Sequence, residues 1–375
     1  MKHRPILAAL LAATVVALVG AQAALADPGH GPGPGNLVFV QTNQQTGNQI
    51  VVFRRGGDGR LTRLGTYDTG GLGGAALPGE SDNLASQGSL VFSHRHQLLV
   101  AVNAGSDTVS TFRLHGDRLE LLSVVPSGGQ FPASVGVHGD LAYVLNSGGS
   151  GIVQGFRVGP HGLAPIAGSA RSLGLANTDP PNFLTSPGQV GFTPDGRQLL
   201  VTTKASTSSI DVFGVGHDGR LSAAPVVNPS ATPVPFAFTF GPGGRLVSGE
   251  AATSSVTTYR IDPGGTLTGA QSASDGQGAL CWIKRVRGFY FVSNTATDNL
   301  SSFTVGPNGR PSLVDAVAAS TNAGPIDLAA SGGFLYAETG IAGTVDEFRV
   351  AGNGTLTAIG SVSGLPSGIE GIAAG

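Results

Sequence analysis

The chain of 375 residues carries 21 Lys and Arg against 23 Asp and Glu, with 60 glycines, one methionine and one cysteine. This near balance, without a basic run or a set of stacking aromatics, argues against a nucleic-acid partner, and a lone Cys281 rules out an internal disulfide. So much glycine suits short strands and tight turns, not helices.

The chain opens with Lys2, His3 and Arg4, continues with an apolar run from Ile6 to Val19 and reaches Ala24-Leu25-Ala26. That order is a secretory signal peptide over residues 1–26, cleaved after Ala26. The apolar run falls short of the roughly 20 residues that span a bilayer, and no second long one follows. The predicted product is a secreted protein without a membrane anchor. Residues 27–36 (DPGHGPGPGN) are Pro- and Gly-rich and predict a disordered linker. Residues 37–375 predict one domain.

Within that domain one aromatic recurs: Phe53, Phe112, Phe156, Phe213, Tyr259, Phe303 and Phe348. An apolar strand precedes each (LLVAVN, LAYVLN, FYFVSN), a Gly-x-Leu turn follows most, and a further short strand lies between units (SVGV, QVGF, AFTF, DLAA). Four strands in roughly 40–45 residues is propeller spacing, so seven units predict an all-β, seven-bladed β-propeller with four antiparallel strands per blade. The domain starts on a second strand (Leu37 to Thr42) and finishes on SGIEGIAAG, which reads as a lone first strand. Joining the two closes the ring without an open edge.

Two connections are long, Thr69 to Ser86 and Ser172 to Gly188. Both link an outermost strand to the next innermost one, so they share a face, and that face is where function is expected. Superposed inner strands place one residue per blade near the channel mouth: Ser89, Ser134, Gln189, Ala237, Cys281, Asp327 and Glu370. The ends of the second strands give Asn43, Asn103, Asn146, Lys204, Glu250, Asn294 and either Glu338 or Thr339. The Asn members read as turn residues in left-handed geometry.

Asp327, Glu338 and Glu370 form a candidate acidic sector, joined by Glu80 and Asp82 of the first long loop. Carboxyls held close raise one another's pKa and can work as an acid/base pair; the competing reading is a hydrogen-bonded network in a wet channel. Gln189, Lys204, Glu250, Ser89, Ser134 and Cys281 are the candidate substrate-binding residues, with Arg171 paired to Lys204 against an anionic group. For Lys204 and Glu250 the alternative is a plain surface charge. Cys281 reads better as a buried, inert thiol, since its expected neighbours are acidic. Without a dense ligand loop of the DxDxDG kind, no metal and no cofactor are expected. All histidines of the domain fall at turns of the opposite face, which argues against a His base at the loop-face mouth.

The segments SQGSLVFS with LLVAVNAGSDTVSTFRL, GQVGFTPDGRQLLVTTKASTSSIDVF and NTATDNLSSFTVGPNGR resemble the seven-bladed lactonase family over the whole of Leu37 to Gly375. That family includes propeller-type 6-phosphogluconolactonase and the carboxymuconate cyclases. The resemblance implies metal-independent lactone hydrolysis or cycloisomerisation. The inner strands depart from the family's Pro-His opening, with PASV, PFAF and PIDL instead, so no catalytic residue carries over. Export argues against a sugar-phosphate lactone. The two expectations are a secreted lactone-ring hydrolase or cyclase, and a non-catalytic propeller that binds a small ligand, glycan or protein on its long-loop face. A monomer is expected.

Overall fold

A computed structural model describes Met1, residues 34–79 and residues 81–375. The signal segment 1–26, most of the 27–36 linker and Glu80 lie outside the described residues. The linker prediction needs correcting at its end: Pro34–Asn36 form a 3-10 turn, and Asn36 Oδ1 accepts from Arg55 Nη2 at 2.6 Å. No helix among the described residues is long and apolar enough to cross a membrane.

The alternating strands assemble into seven antiparallel sheets, each running from an inner strand at the axis to an outer strand at the rim. Blade one is the composite one. Ile372–Ala374 pairs with Leu37–Gln41, followed outward by Gln49–Arg55 and Leu61–Asp68. The ring therefore closes as the repeat requires, with Val38 opposite Ala374 and Val40 opposite Ile372. The inner strands of blades two to seven are Leu90–Ser93, Pro132–His138, Gln189–Phe192, Pro235–Phe240, Leu280–Val286 and Pro325–Ser331. Blade three adds a two-residue strand, Arg171–Ser172, against Ile152–Gly159.

Seven hydrophobic clusters fill the seven gaps between blades, and each contains one of the recurring aromatics. Phe53 sits between blades seven and one, Phe112 between one and two, Phe156 between two and three. Phe213, Tyr259, Phe303 and Phe348 continue the series. The repeat exists because each blade buries its ring against the blade before it, and truncating such a ring costs about 3–5 kcal/mol.

Two local features aim side chains at the axis. First, the inner strands of blades three, five, six and seven each carry a register shift near their start, at Ser134, Ala237, Cys281 and Asp327. Such a bulge inserts a residue and reverses which face the following side chains occupy. Second, the tight connection after Glu370 needs Gly371 (φ 115°), where a Cβ would lie 2.3 Å from Ser89 Oγ.

The second-strand column also needs correction. Thr339 pairs with Thr344 as Asn103 does with Thr108 and Asn294 with Asn299, so Thr339 is the column member and Glu338 faces the other way. Asn43 is left-handed as expected (φ 50°), whereas Asn103 is not (φ −124°). In the turns after Asn103, Glu250 and Asn294 the left-handed residue comes later, at Asp107, Ser254 and Asp298. Asn103 and Asn294 instead donate to hydroxyls of the next strand, at Ser110 and Ser301.

Candidate functional site in the axial channel

Much of the inner-strand column forms a belt that stitches neighbouring blades. Ser89 Oγ donates to the Glu370 carbonyl at 3.2 Å. Ser134 Oγ donates to the Gln87 carbonyl at 2.6 Å and accepts from Val190 N at 3.1 Å. Gln189 Oε1 accepts from Phe238 N at 2.6 Å. Ser89 and Ser134 thus spend their hydroxyl protons on backbone carbonyls.

The long loops fill the loop-face mouth; they do not frame it. Leu84 and Ala85 are fully buried and Asp82 and Ser86 nearly so. The indole N–H of Trp282 donates to the Ser86 carbonyl at 2.9 Å, and Ser86 Oγ to the Ala133 carbonyl at 2.7 Å. The two loops also pair with each other, Leu77 N donating to Pro181 O and Phe183 N to Leu77 O. Phe183 lies half-buried beneath them.

Under this plug lies the sealed half of the channel. Lys204, 1% exposed, donates to the carbonyls of Ala85 and Phe183, both at 2.6 Å, and to Ser186 Oγ at 2.9 Å. Its ammonium also lies 5.0 Å from the Phe236 ring centre. Its three protons are all used, so it binds the two loops and not a ligand. Burial pulls its pKa down to about 8 against the pull of Asp82, Cys281 and Glu370. Its backbone is left-handed (φ 47°), a cost that persists because those contacts over-determine it.

The acidic sector is real in part. Asp82 Oδ1 accepts from Ala85 N at 2.6 Å and Glu370 Oε2 from Leu84 N at 2.7 Å. The oxygens left over, Asp82 Oδ2 and Glu370 Oε1, are buried without a hydrogen-bond partner among the described residues. The two buried carboxyls lie close enough to perturb each other's titration, which favours a state in which one of them keeps its proton. Burial is the main cause that raises both pKa values, the partner charge adding to it for Glu370. Glu338, fully buried, accepts from Gly371 N at 2.8 Å, and burial followed by the charge of Asp327 holds its pKa well above the usual range. Among the described residues no three His, Cys, Asp or Glu are grouped so as to hold a metal ion.

Asp327 lies close enough to Glu338 to raise its pKa but opens onto a different space. It lines a cavity of about 270 Å³ that extends from Gln87 and Gln189 down to His94 and Ala374, at the far ends of the inner strands. Asp327 Oδ1 accepts from its neighbour Leu328 N at 2.8 Å. Burial moves its pKa up to about 6, opposed by the amides of Leu328, Gly88 and Ile372 and by Lys284. Lys284 lines the same cavity and its own pKa is lowered by burial, yet no ion pair within 4.0 Å joins it to Asp327. Among the described residues, the open half of the channel therefore holds an unpaired ammonium and a carboxyl facing a shared space.

The remaining candidates are held elsewhere. Glu250 accepts from Thr232 N, Thr232 Oγ1, Thr257 Oγ1 and Tyr259 Oη, so it pins the 231–234 turn. Arg171 spends its guanidinium on the carbonyls of Gly168, Ala170, Leu221 and Ser222, and it lies on the flank of blade three rather than beside Lys204. Cys281 is buried among Phe236, Trp282 and Ile283, and burial pushes its thiol far up.

Sequence reasoning passed over Lys284, Gln87 and His94. Strict alternation from Cys281 points Lys284 away from the axis; the bulge between Leu280 and Ile283 turns it inward. His94 sits on the face opposite the loops, the face toward which this cavity extends.

No family model matches the chain and no curated protein sequence matches it. Among solved structures, a candidate 6-phosphogluconolactonase of Bacteroides fragilis aligns over 90% of this chain and 96% of its own, at 18% identity and a TM-score of 0.71. A second candidate 6-phosphogluconolactonase, of Bacteroides uniformis, covers 89% and 98% at 19% identity and 0.68. The periplasmic gluconolactonase of Pseudomonas aeruginosa covers 89% and 98% at 20% identity and 0.67. The resemblance read in the sequence thus holds at the level of the fold: this chain is built as these propellers are, blade for blade around a common axis.

Proposed function

We propose that this is an exported hydrolase that opens a lactone ring in the open half of its axial channel. The observation that carries the reading is Asp327, with its pKa near 6, facing the unpaired Lys284 across a cavity of about 270 Å³. Asp327 as carboxylate takes a proton from water as the water oxygen bonds to the lactone carbonyl carbon. Lys284 steadies the oxyanion, the ring C–O bond breaks, and the proton passes to the leaving alkoxide. A positioned general base contributes about 10²- to 10⁴-fold. The likeness in fold to a periplasmic gluconolactonase and the signal expected over residues 1–26 support the same reading.

A panel of five- and six-membered lactones offered to the purified protein tests it, with ring opening followed by acid release. Turnover that rises with pH through about 6 and falls at least 100-fold in Asp327→Asn is expected. A panel without turnover rejects the reading. The alternative, a non-catalytic propeller that binds through its loop face, is favoured by Leu77 and Leu184, each 53% exposed there beside the loop pairing.

A further inference from the structure

The donors of the open cavity are more specific than its acid. Gln87 Oε1 accepts from Ile283 N at 3.0 Å and Gln189 Oε1 from Phe238 N at 2.6 Å. A backbone N–H can only be met by the amide oxygen, which fixes the orientation of both carboxamides. Both NH₂ groups are left without a protein acceptor among the described residues, and both side chains line the cavity. Lys284 adds an ammonium without an ion-pair partner among the described residues. The three donors come from blades two, four and six, spaced around the ring. Ammonium and carboxamide N–H groups offered together call for a ligand that accepts hydrogen bonds and bears negative charge. One lysine matches one charge; a phosphate dianion would be left half neutralised.

We propose that Lys284, Gln87 and Gln189 form a subsite for the carboxylate of a small hydroxy acid. The proposal shares its cavity with the hydrolase reading but does not need turnover; if both hold, the acid is the class of molecule that ring opening releases. The charged and titratable groups that face Asp327 are Lys284 from blade six, Glu338 from its own blade and His94 at the far mouth. A neutral Asp327 can donate a hydrogen bond to the bound carboxylate, whereas an ionised one repels it. Binding should therefore strengthen as pH falls through about 6.

Calorimetric titration of the full chain with D-gluconate, D-glucitol and inorganic phosphate is the test. Glucitol keeps the hydroxyls and lacks the carboxylate. Gluconate is expected to bind at least tenfold more tightly than either. Lys284→Met should weaken it at least tenfold and Lys284→Arg largely restore it, while Asp327→Asn should keep the affinity and lose its pH dependence. Equal binding of gluconate and glucitol, preference for phosphate, or full affinity in a folded Lys284→Met variant would overturn the subsite. Gluconate binding without any lactone turnover rejects the hydrolase reading alone. Turnover without gluconate binding rejects the subsite alone.

Discussion

The two halves of the axial channel carry similar groups and use them in opposite ways. In the sealed half, every proton of Lys204 is taken by Ala85, Phe183 and Ser186, and Asp82 and Glu370 each accept from a backbone amide of the plug. In the open half, Lys284 has no ion-pair partner and two carboxamide NH₂ groups no protein acceptor among the described residues. Both lysines are pushed down by burial and both sets of carboxyls up. Perturbed titration is thus common to structure and to site, and cannot tell them apart. Unspent hydrogen-bonding capacity beside a cavity can.

Activity should break the comparison most sharply. If the open half is the site, Asp327→Asn lowers lactone turnover by about 10²- to 10⁴-fold, while Glu370→Gln leaves it within a few-fold. Equal losses in two folded variants would mean that the halves work as one. Next in size is Lys204→Met. It removes three hydrogen bonds and leaves the buried acids without their cation, so about 3–5 kcal/mol of stability should go, read by chemical denaturation. A loss under 1 kcal/mol would show that the plug is held by other contacts.

How much of this was legible depends on which residues are asked about. Phe53 through Phe348 announced seven blades because inter-blade packing repeats with the chain, and the lone last strand announced closure because an open blade needs one. The residues name Asp327, Glu338 and Glu370 as an acidic group with Glu80 and Asp82 beside it; Asp327 opens onto the other cavity, whereas Asp82, Glu338 and Glu370 come together in the sealed half. Their burial was not readable, because it depends on residues 82–86 folding back over the axis, and loop length gives no direction. Lys284 was hidden by a bulge that reverses side-chain parity, and the commitment of Ser134 to the Gln87 carbonyl is a contact between blades that no local pattern encodes.

The sealed acids also set a pH dependence whose sign differs from the usual carboxylate case. Asp82, Glu338 and Glu370 have pKa values raised in the folded state. Between the unfolded values, about 4, and the raised ones, the folded chain holds more protons than the unfolded chain. The contribution of these acids to stability should therefore be full below about pH 4 and decline as pH rises through that window. Glu370→Gln keeps an acceptor for Leu84 N and gains an amide that can donate to Asp82, without a proton to lose. Its stability should equal or exceed that of the parent at pH 7, with a flatter slope in urea midpoints from pH 5 to 8. An unchanged slope would remove the retained proton from the account of the plug.

Ser134→Ala should cost less than Lys204→Met and is the most discriminating for the belt. It leaves the buried Val190 N–H without an acceptor and the Gln87 carbonyl without its donor, which costs about 1–3 kcal/mol. The belt holds residue 87 in place from one side, while Ile283 N holds its side chain from another. If that backbone anchor is what aims the carboxamide, gluconate affinity should weaken along with stability, though less than in Lys284→Met. If stability falls and affinity does not, the side-chain contact alone orients Gln87, and the belt serves the ring and not the site.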